Sequence, residues 1–162
     1  MKKLLFLPIL MLFAACVTKK DTIGTLSNCP SEGVCKYTRH KNTALEIKKD
    51  DIGSLYYQKV THSGKTTFTY AYEQNKDQAY VDGHYIEEIV FEVDDSFFDK
   101  DVENQPLKKV LFNVSCFCKG KAGGYEVPEA TISYNKKAKN LTVTIDTVIE
   151  GQVLKVIQIP EG

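Results

Sequence analysis

Apolar and polar residues alternate along most of the chain, with the two-residue period that is typical of β-strands. In residues 65–73, Phe68, Tyr70 and Tyr72 occupy one set of alternate positions, while threonines and an alanine occupy most of the other. Residues 84–93 repeat this alternation with apolar side chains on one face. We therefore expect one face of each segment to point into a hydrophobic core.

The same period predicts about ten short strands separated by polar turns. They cover residues 34–39, 44–48, 54–62, 65–73, 84–93, 109–118, 125–127, 130–135, 140–148 and 152–159. A hairpin turn is predicted at Ser63-Gly64 and a helical turn near residues 99–103. No 3.6-residue stripe is apparent, so we predict an all-β domain of mainly antiparallel strands. The spacing of the turns favours a β-sandwich, immunoglobulin-like in one form, with a small β-barrel as the alternative.

Composition sets limits on this fold and its partners. The chain has 162 residues, of which 43% are hydrophobic and 26% charged, as in ordinary globular domains. This length suits one domain with a sizeable core. Lysine and arginine together number 21, as do aspartate and glutamate, so the formal net charge is zero. That balance argues against nucleic acid as the partner, since binding to phosphates requires excess positive charge.

The amino terminus, MKKLLFLPILMLFAAC, follows the order of an export signal. Two lysines precede an apolar stretch over residues 4–13, and two alanines then lead directly to Cys16. The apolar stretch is too short for a membrane span, which needs about 20 residues. Small residues before a cleavage point are what a signal peptidase requires. The segment therefore predicts a secretory signal peptide.

With Cys16 directly after the alanines, this segment resembles a bacterial lipoprotein signal, although Phe13 departs from the usual lipobox residue. The resemblance implies that Cys16 is lipidated and becomes the mature amino terminus after residues 1–15 are removed. Residues 16–28 are then expected to form a lipidated tether, and residues 29–162 the single domain. By resemblance to the sorting of proteobacterial lipoproteins, the absence of aspartate after Cys16 implies the outer membrane, on its periplasmic or surface face.

Four further cysteines are expected to form two disulfides, because an exported chain meets an oxidising compartment. Cys116 and Cys118 would share one face of a strand, too far apart for the Cβ separation of about 3.8 Å that a disulfide needs. We therefore favour Cys29–Cys118 with Cys35–Cys116, and the crossed pairing stays open. The alternative is a four-thiolate zinc site, but gaps of five residues and one residue differ from the usual ligand spacing.

Catalytic and cofactor motifs are not found in the sequence. It contains no HExxH, GxSxG, P-loop or GxGxxG pattern, so we expect neither an enzyme nor a bound cofactor. Glu87 shares its strand face with Tyr85 and Ile89, where a carboxylate would need a partner. Arg39 is a candidate for that partner, although we favour a rim position at which Glu87 reaches water.

Clustered tyrosines give one candidate binding surface, because tyrosine is enriched where proteins bind partners. The candidates are Tyr56, Tyr57, Tyr70, Tyr72, Tyr80 and Tyr85. The alternative, which we favour, is that these rings pack inside two hairpins.

The sequence thus predicts a lipid-anchored envelope protein that acts as a non-catalytic binding or structural module. Its expected partners are the membrane, through the lipid, and an envelope protein or a glycan. One alternative is an inhibitor of an envelope hydrolase that acts through residues 94–105 or 120–125. Another is a carbohydrate-binding module that uses the tyrosines.

Overall fold

The computed structural model describes residues 22–26, 28–75 and 84–160, which form two antiparallel sheets packed face to face. The strands are β1 Thr22–Thr25, β2 Gly33–Lys49, β3 Leu55–Gln74, β4 Tyr85–Asp94, β5 Val102–Pro106, β6 Val110–Cys116, β7 Gly123–Glu126, β8 Ala130–Asn135, β9 Asn140–Ile145 and β10 Val156–Pro160. The first sheet has the order β1-β2-β3-β4-β6-β7 and the second the order β10-β9-β8-β5. The predicted all-β sandwich is confirmed. A helix with the length and hydropathy for crossing a bilayer does not occur among these residues.

The main core lies between the two sheets and follows the predicted alternation. Phe68, Tyr70 and Tyr72 of β3 are each 2% exposed. On the opposite sheet, Ile132 and Tyr134 of β8 are buried in the same cluster. The prediction that the alternate aromatic face of each segment points inward is therefore confirmed.

The first long hairpin turns at residues 50–54. There, the side-chain Oδ1 of Asp50 accepts hydrogen bonds from the backbone N–H groups of Ile52 and Ser54, at 3.0 and 2.7 Å. Gly53 takes a φ of +86°, a left-handed conformation that glycine adopts without steric cost. Aspartate followed by a left-handed glycine thus fixes the turn.

The hairpin turn predicted at Ser63-Gly64 is wrong, because β3 continues through that site. β2 pairs with β3 on both sides of this site. Lys41 pairs with Thr66 on one side, and Thr43 pairs with Thr61 on the other. The extra residues of β3 form a bulge, and Gly64 provides its positive φ of +79°. A bulge and a tight turn both favour glycine, so the sequence signal did not separate them.

Beyond this bulge, the tip half of the β2–β3 hairpin folds back over the outer face of the first sheet. The Thr67 hydroxyl donates to the carbonyl of Thr43 at 2.8 Å, and the Leu45 amide donates to the Glu92 carboxylate at 2.8 Å. Val90 and Leu111 pair directly on that outer face, and both are 0% exposed. The hairpin thus covers an apolar patch that the second sheet does not reach.

Two further predictions need correction. The 3₁₀ helix spans Asp95–Asp99 instead of residues 99–103, because Phe97 and Phe98 pack against the core. Part of the predicted tether belongs to the sheet, since β1 pairs antiparallel with β2.

Glu87 is not at a rim reaching water, and Arg39 is not its partner. The Glu87 side chain is fully buried and accepts backbone N–H groups from Val153 at 2.8 Å and Leu154 at 2.6 Å. The Tyr85 hydroxyl donates to the same carboxylate at 2.6 Å. These donors satisfy the buried charge and attach the segment before β10 to β4. Arg39 instead lies over the ring of Phe98, 4.7 Å from its centroid.

Candidate ligand-binding cleft

A cleft of about 470 Å³ opens at one end of the sandwich. It lies between the end of β4, the 3₁₀ helix and the segment that joins β5 to β6. The volume falls within the usual range of small-molecule sites, roughly 300–1,000 Å³. Its apolar lining comes from both sheets and from the segments between them. These residues are Val93, Phe97, Val102, Leu107 and Ile132.

A buried carboxylate holds two lysines at the edge of the cleft. Glu92 is 7% exposed, and its two oxygens contact Lys65 Nζ at 3.0 Å and Lys109 Nζ at 3.2 Å. Lys65 also contacts Asp94 at 2.7 Å, while Lys109 donates to the carbonyl of Leu45 at 3.2 Å. The folded-back half of the β2–β3 hairpin, β4 and the residue just before β6 therefore meet around one charged network.

The network favours the charged form of its central carboxylate. Burial alone would raise the pKa of Glu92. The Leu45 amide and the ammonium groups of Lys65 and Lys109 outweigh burial and lower this pKa below its usual value. Hydrogen bonds to Asp94 and Glu92 raise the pKa of Lys65. Both directions follow from the ion pairs that form one edge of the cleft.

Two further lysines, Lys100 and Lys108, line the cleft and are exposed. Within the part of the chain that the structure describes, neither forms an ion pair. Their charges face a cleft whose buried lining is apolar apart from Glu92, and Glu92 already neutralises charge on Lys65 and Lys109. The arrangement can attract an anionic group and accept an apolar group beside it.

Local sequence explains how these groups reach the cleft. Leu107 is 9% exposed, and its amide donates to the carbonyl of Ala130 at 2.8 Å, which fixes the segment that carries Lys108 and Lys109. Glu92 interrupts the apolar residues of β4 on the face opposite the main core. None of these residues belongs to a recognised sequence motif. A carboxylate inside the run IVFEV was the available signal.

The structure corrects the predicted disulfides. Cys29 pairs with Cys35, with Cα atoms 5.4 Å apart, and Cys116 pairs with Cys118 at 5.2 Å. The favoured pairing of Cys29 with Cys118 and Cys35 with Cys116 is therefore wrong, as is the crossed alternative. All four cysteines are in disulfides, as expected.

The pairing was predicted wrongly because the predicted strand over residues 109–118 extended two residues beyond the end of β6. β6 ends at Cys116, and Phe117 and Cys118 lie outside the strand. Alternation of side chains holds only while the backbone stays extended, so Cys118 turns back toward Cys116. At the other site, Cys29 precedes β2 and reaches Cys35 on the inward face of that strand.

The six tyrosines do not form a common surface. Tyr70 and Tyr72 are buried in the core, so the candidate surface is wrong for these two residues. Tyr85 is half-buried and donates to Glu87. Tyr56 is 41% exposed on the hairpin. Tyr80 lies outside the described residues.

Tyr57 belongs to the folded-back half of the hairpin and is half-buried. Burial raises its pKa to about 12, with further contributions from the charge of Glu88 and from a hydrogen bond to it. This phenol therefore stays protonated at neutral pH. Its side chain interacts with Glu88 of β4, so it points to the opposite side of β3 from the exposed Tyr56.

The other predicted sites are placed as follows. Cys16 lies outside the described residues. Residues 94–105 form the 3₁₀ helix and most of β5, and they contribute to the cleft. Residues 120–125 lead into β7, where the Tyr125 hydroxyl donates to the carbonyl of Lys121 at 2.8 Å. The described ranges contain no group of three or more His, Cys, Asp or Glu side chains that could hold a metal ion.

The chain was compared with known protein families, curated proteins and solved structures. No protein-family model, no curated protein and no solved structure matches the chain.

Proposed function

We propose that this chain is a lipid-anchored, non-catalytic binding module of the bacterial envelope. Its ligand is a small molecule with an anionic group and an apolar body. The observation that carries the proposal is the cleft in which Lys100 and Lys108 face a buried apolar lining. An anionic amphiphile matches both halves of that cleft, since it supplies a charge for the lysines and apolar surface for the lining.

The anchor is proposed from the lipoprotein-like signal ending at Cys16. Only six residue steps separate Cys16 from the start of β1 at Thr22. Fully extended, six steps span at most about 20 Å. The folded domain would therefore stay close to the lipid surface, within reach of amphiphiles that enter or leave it.

Binding without catalysis is favoured by the state of the charged groups. Glu92 accepts three donors, and its lowered pKa favours the ionised form at neutral pH. A carboxylate in this state is poorly suited to act as a general acid. In this proposal, Glu92 positions Lys65 and Lys109, while Lys100 and Lys108 bind the ligand's anionic group.

Isothermal titration with octanoate tests the ligand class, with octanol and octylamine as probes of the same chain length. We expect octanoate to bind most tightly. The double variant Lys100→Glu and Lys108→Glu should bind octanoate at least about tenfold more weakly, because a close charge pair contributes on the order of 1.5 kcal/mol.

The matched control is Lys137→Glu with Lys155→Glu, which changes the net charge equally at exposed positions outside the cleft. Equal loss of octanoate binding in both double variants would contradict the proposed site. Octanol binding as tightly as octanoate would contradict the proposed role of the anion.

The anchor has a separate test in cells of the native host. Metabolic labelling with an alkyne fatty acid should mark the wild type in the membrane fraction. Cys16→Ser should lose the label and leave that fraction. An unlabelled wild-type chain that retains residues 1–15 would overturn the proposed anchor and leave the cleft proposal untouched.

A further inference from the structure

We propose that the Cys116–Cys118 disulfide is an exchangeable redox site, which takes an electron pair from a cysteine dithiol in another exported protein. This activity is independent of the cleft, and it shares with the proposed function only the expectation of export.

The Cys29–Cys35 disulfide is part of the core. Cys35 is 1% exposed, whereas its partner Cys29 is half-buried and packs against the same cluster, as Cys116 does. The contrast between the two disulfides therefore lies in the buried Cys35 and in Cys118, which is half-buried and is not among the residues packed against that cluster. An incoming thiolate would have to open the core to reach Cys35. A sulfur that is shielded in this way reacts slowly in disulfide exchange, because exchange requires access to the attacked atom. This disulfide therefore has the features of a structural bond.

The Cys116–Cys118 disulfide lies at the surface end of β6. Both residues are half-buried, and the bond encloses a single residue, Phe117. In the chain-entropy view, a bond that closes so short a loop restricts the unfolded chain little. Its contribution to folding is correspondingly small. A function other than stabilisation accounts better for a bond in this position.

Phe117 lies between the two cysteines in the sequence and is 95% exposed. An aromatic side chain in that position adds nothing to the core. It offers a partner protein an apolar contact next to the bond that would react, and aromatic residues are enriched at such contacts. The exposed ammonium group of Lys119 follows directly in the sequence. A nearby positive charge favours the thiolates that form during exchange.

The exchange balances in two steps. A partner thiolate attacks Sγ of Cys118, which lies past the end of the strand. The S–S bond breaks, a mixed disulfide forms and Cys116 leaves as a thiolate. The partner's second thiolate then attacks its own sulfur in that mixed disulfide and releases Cys118. The partner is oxidised to a disulfide, and Cys116 and Cys118 are reduced and take up the two protons that the partner's thiols lost. A low-molecular-weight disulfide restores the bond by the reverse exchange.

Graded glutathione buffers test the proposal on the intact mature chain, with alkylation and mass spectrometry to follow each cysteine pair. The reducing strength of each buffer is the squared concentration of glutathione divided by the concentration of glutathione disulfide. We expect the value that half-reduces Cys116–Cys118 to be at least 100-fold lower than the value that half-reduces Cys29–Cys35. If the two pairs are reduced together, or if Cys116–Cys118 is the more resistant, the proposal is overturned.

A rate measurement separates exchange from mere lability. The probe is a reduced peptide with two cysteines, and glutathione disulfide is the terminal oxidant. Wild type should speed peptide oxidation at least tenfold over the protein-free rate, and Cys116→Ser with Cys118→Ser should abolish the effect. Phe117→Ser should slow the reaction severalfold without moving the reduction midpoint, and Val156→Ser, at a 57% exposed apolar position of β10 in the other sheet, serves as the control. A wild-type rate equal to that of the double serine variant would contradict the proposed exchange.

Discussion

Glu87 and Glu92 are two buried carboxylates on the same strand, and they are satisfied in different ways. Glu87 points into the main core and accepts two backbone amides and a tyrosine hydroxyl. Glu92 points to the opposite face and accepts one backbone amide and two lysine ammonium groups. Neutral donors surround the first charge, whereas opposite charges surround the second.

This difference gives the two carboxylates different roles: Glu87 holds the fold together, and Glu92 organises the charges at the edge of the cleft. The neutral donors of Glu87 hold the residues before β10 in place, and they leave no charged side chain facing solvent. The ammonium groups around Glu92 extend to the surface, where the Lys109 side chain is 51% exposed and Lys65 is 29% exposed. Glu92 thus sets the charge distribution of the cleft, while Glu87 fixes the fold.

The largest effect is expected from Glu87→Gln. The side-chain NH₂ of glutamine would replace one of the two accepting oxygens and would face a buried N–H or O–H donor. Both of these donors would then lack an acceptor. The free energy of unfolding should fall by about 3 kcal/mol, because hydrogen bonds to a charged group contribute roughly 1.5–3 kcal/mol each. Urea denaturation followed by circular dichroism measures the change. Glu103→Gln on an exposed position of β5 is the isosteric control and should change it by less than about 0.5 kcal/mol.

A smaller, pH-dependent effect is expected from Glu92→Gln. The free energy of unfolding should fall by about 2 kcal/mol at neutral pH, where the ion pairs and the Leu45 bond are complete. The pKa of Glu92 is lower in the folded state than in the unfolded chain. The stabilisation is therefore present above the unfolded value, near pH 4.5, and is lost as the pH falls through the folded value.

Denaturation of wild type and Glu92→Gln between pH 3 and pH 7 measures that dependence. The gap in free energy of unfolding should narrow below about pH 4.5, and it should narrow with added salt at pH 7. A gap that stays constant over this pH range would contradict the assigned ion pairs.

The smallest effect is expected from Tyr85→Phe, which removes one donor to Glu87 and leaves both amides in place. The free energy of unfolding should fall by about 1 kcal/mol. Burial first, and then the hydrogen bond to Glu87, raise the pKa of Tyr85 above the ordinary phenol value. Tyr56→Phe, at an exposed position, is the control. Equal stability of the two variants would show that the Tyr85 hydroxyl is not a donor to Glu87.

The inward faces of the strands were predictable because alternation reports directly on burial. It assigned Phe68, Tyr70 and Tyr72 to one face, and that face is the core. Alternation does not tell what covers the opposite face. The burial of Val90 and Leu111 beneath the hairpin depends on a bulge around residues 62–65, whose glycine is also typical of a tight turn.

The candidate site was less predictable, because long-range partners decide it. Glu87 was assigned to the correct face, but its amide donors lie 66 and 67 residues further along the chain. Backbone donors carry no residue signature, so the sequence directed attention to Arg39 instead. Lys100 and Lys108 are ordinary exposed lysines in the sequence. Only the folded chain brings both of them to one apolar cleft.

The most direct test of the binding proposal is an NMR titration of the labelled mature domain with octanoate. We predict saturable amide shifts concentrated at residues 100–109 and at Ile132, with methyl shifts at Val93 and Leu107, and smaller changes in Lys100→Glu with Lys108→Glu. Saturable shifts confined to another face, or no shifts at millimolar octanoate, would contradict the proposal.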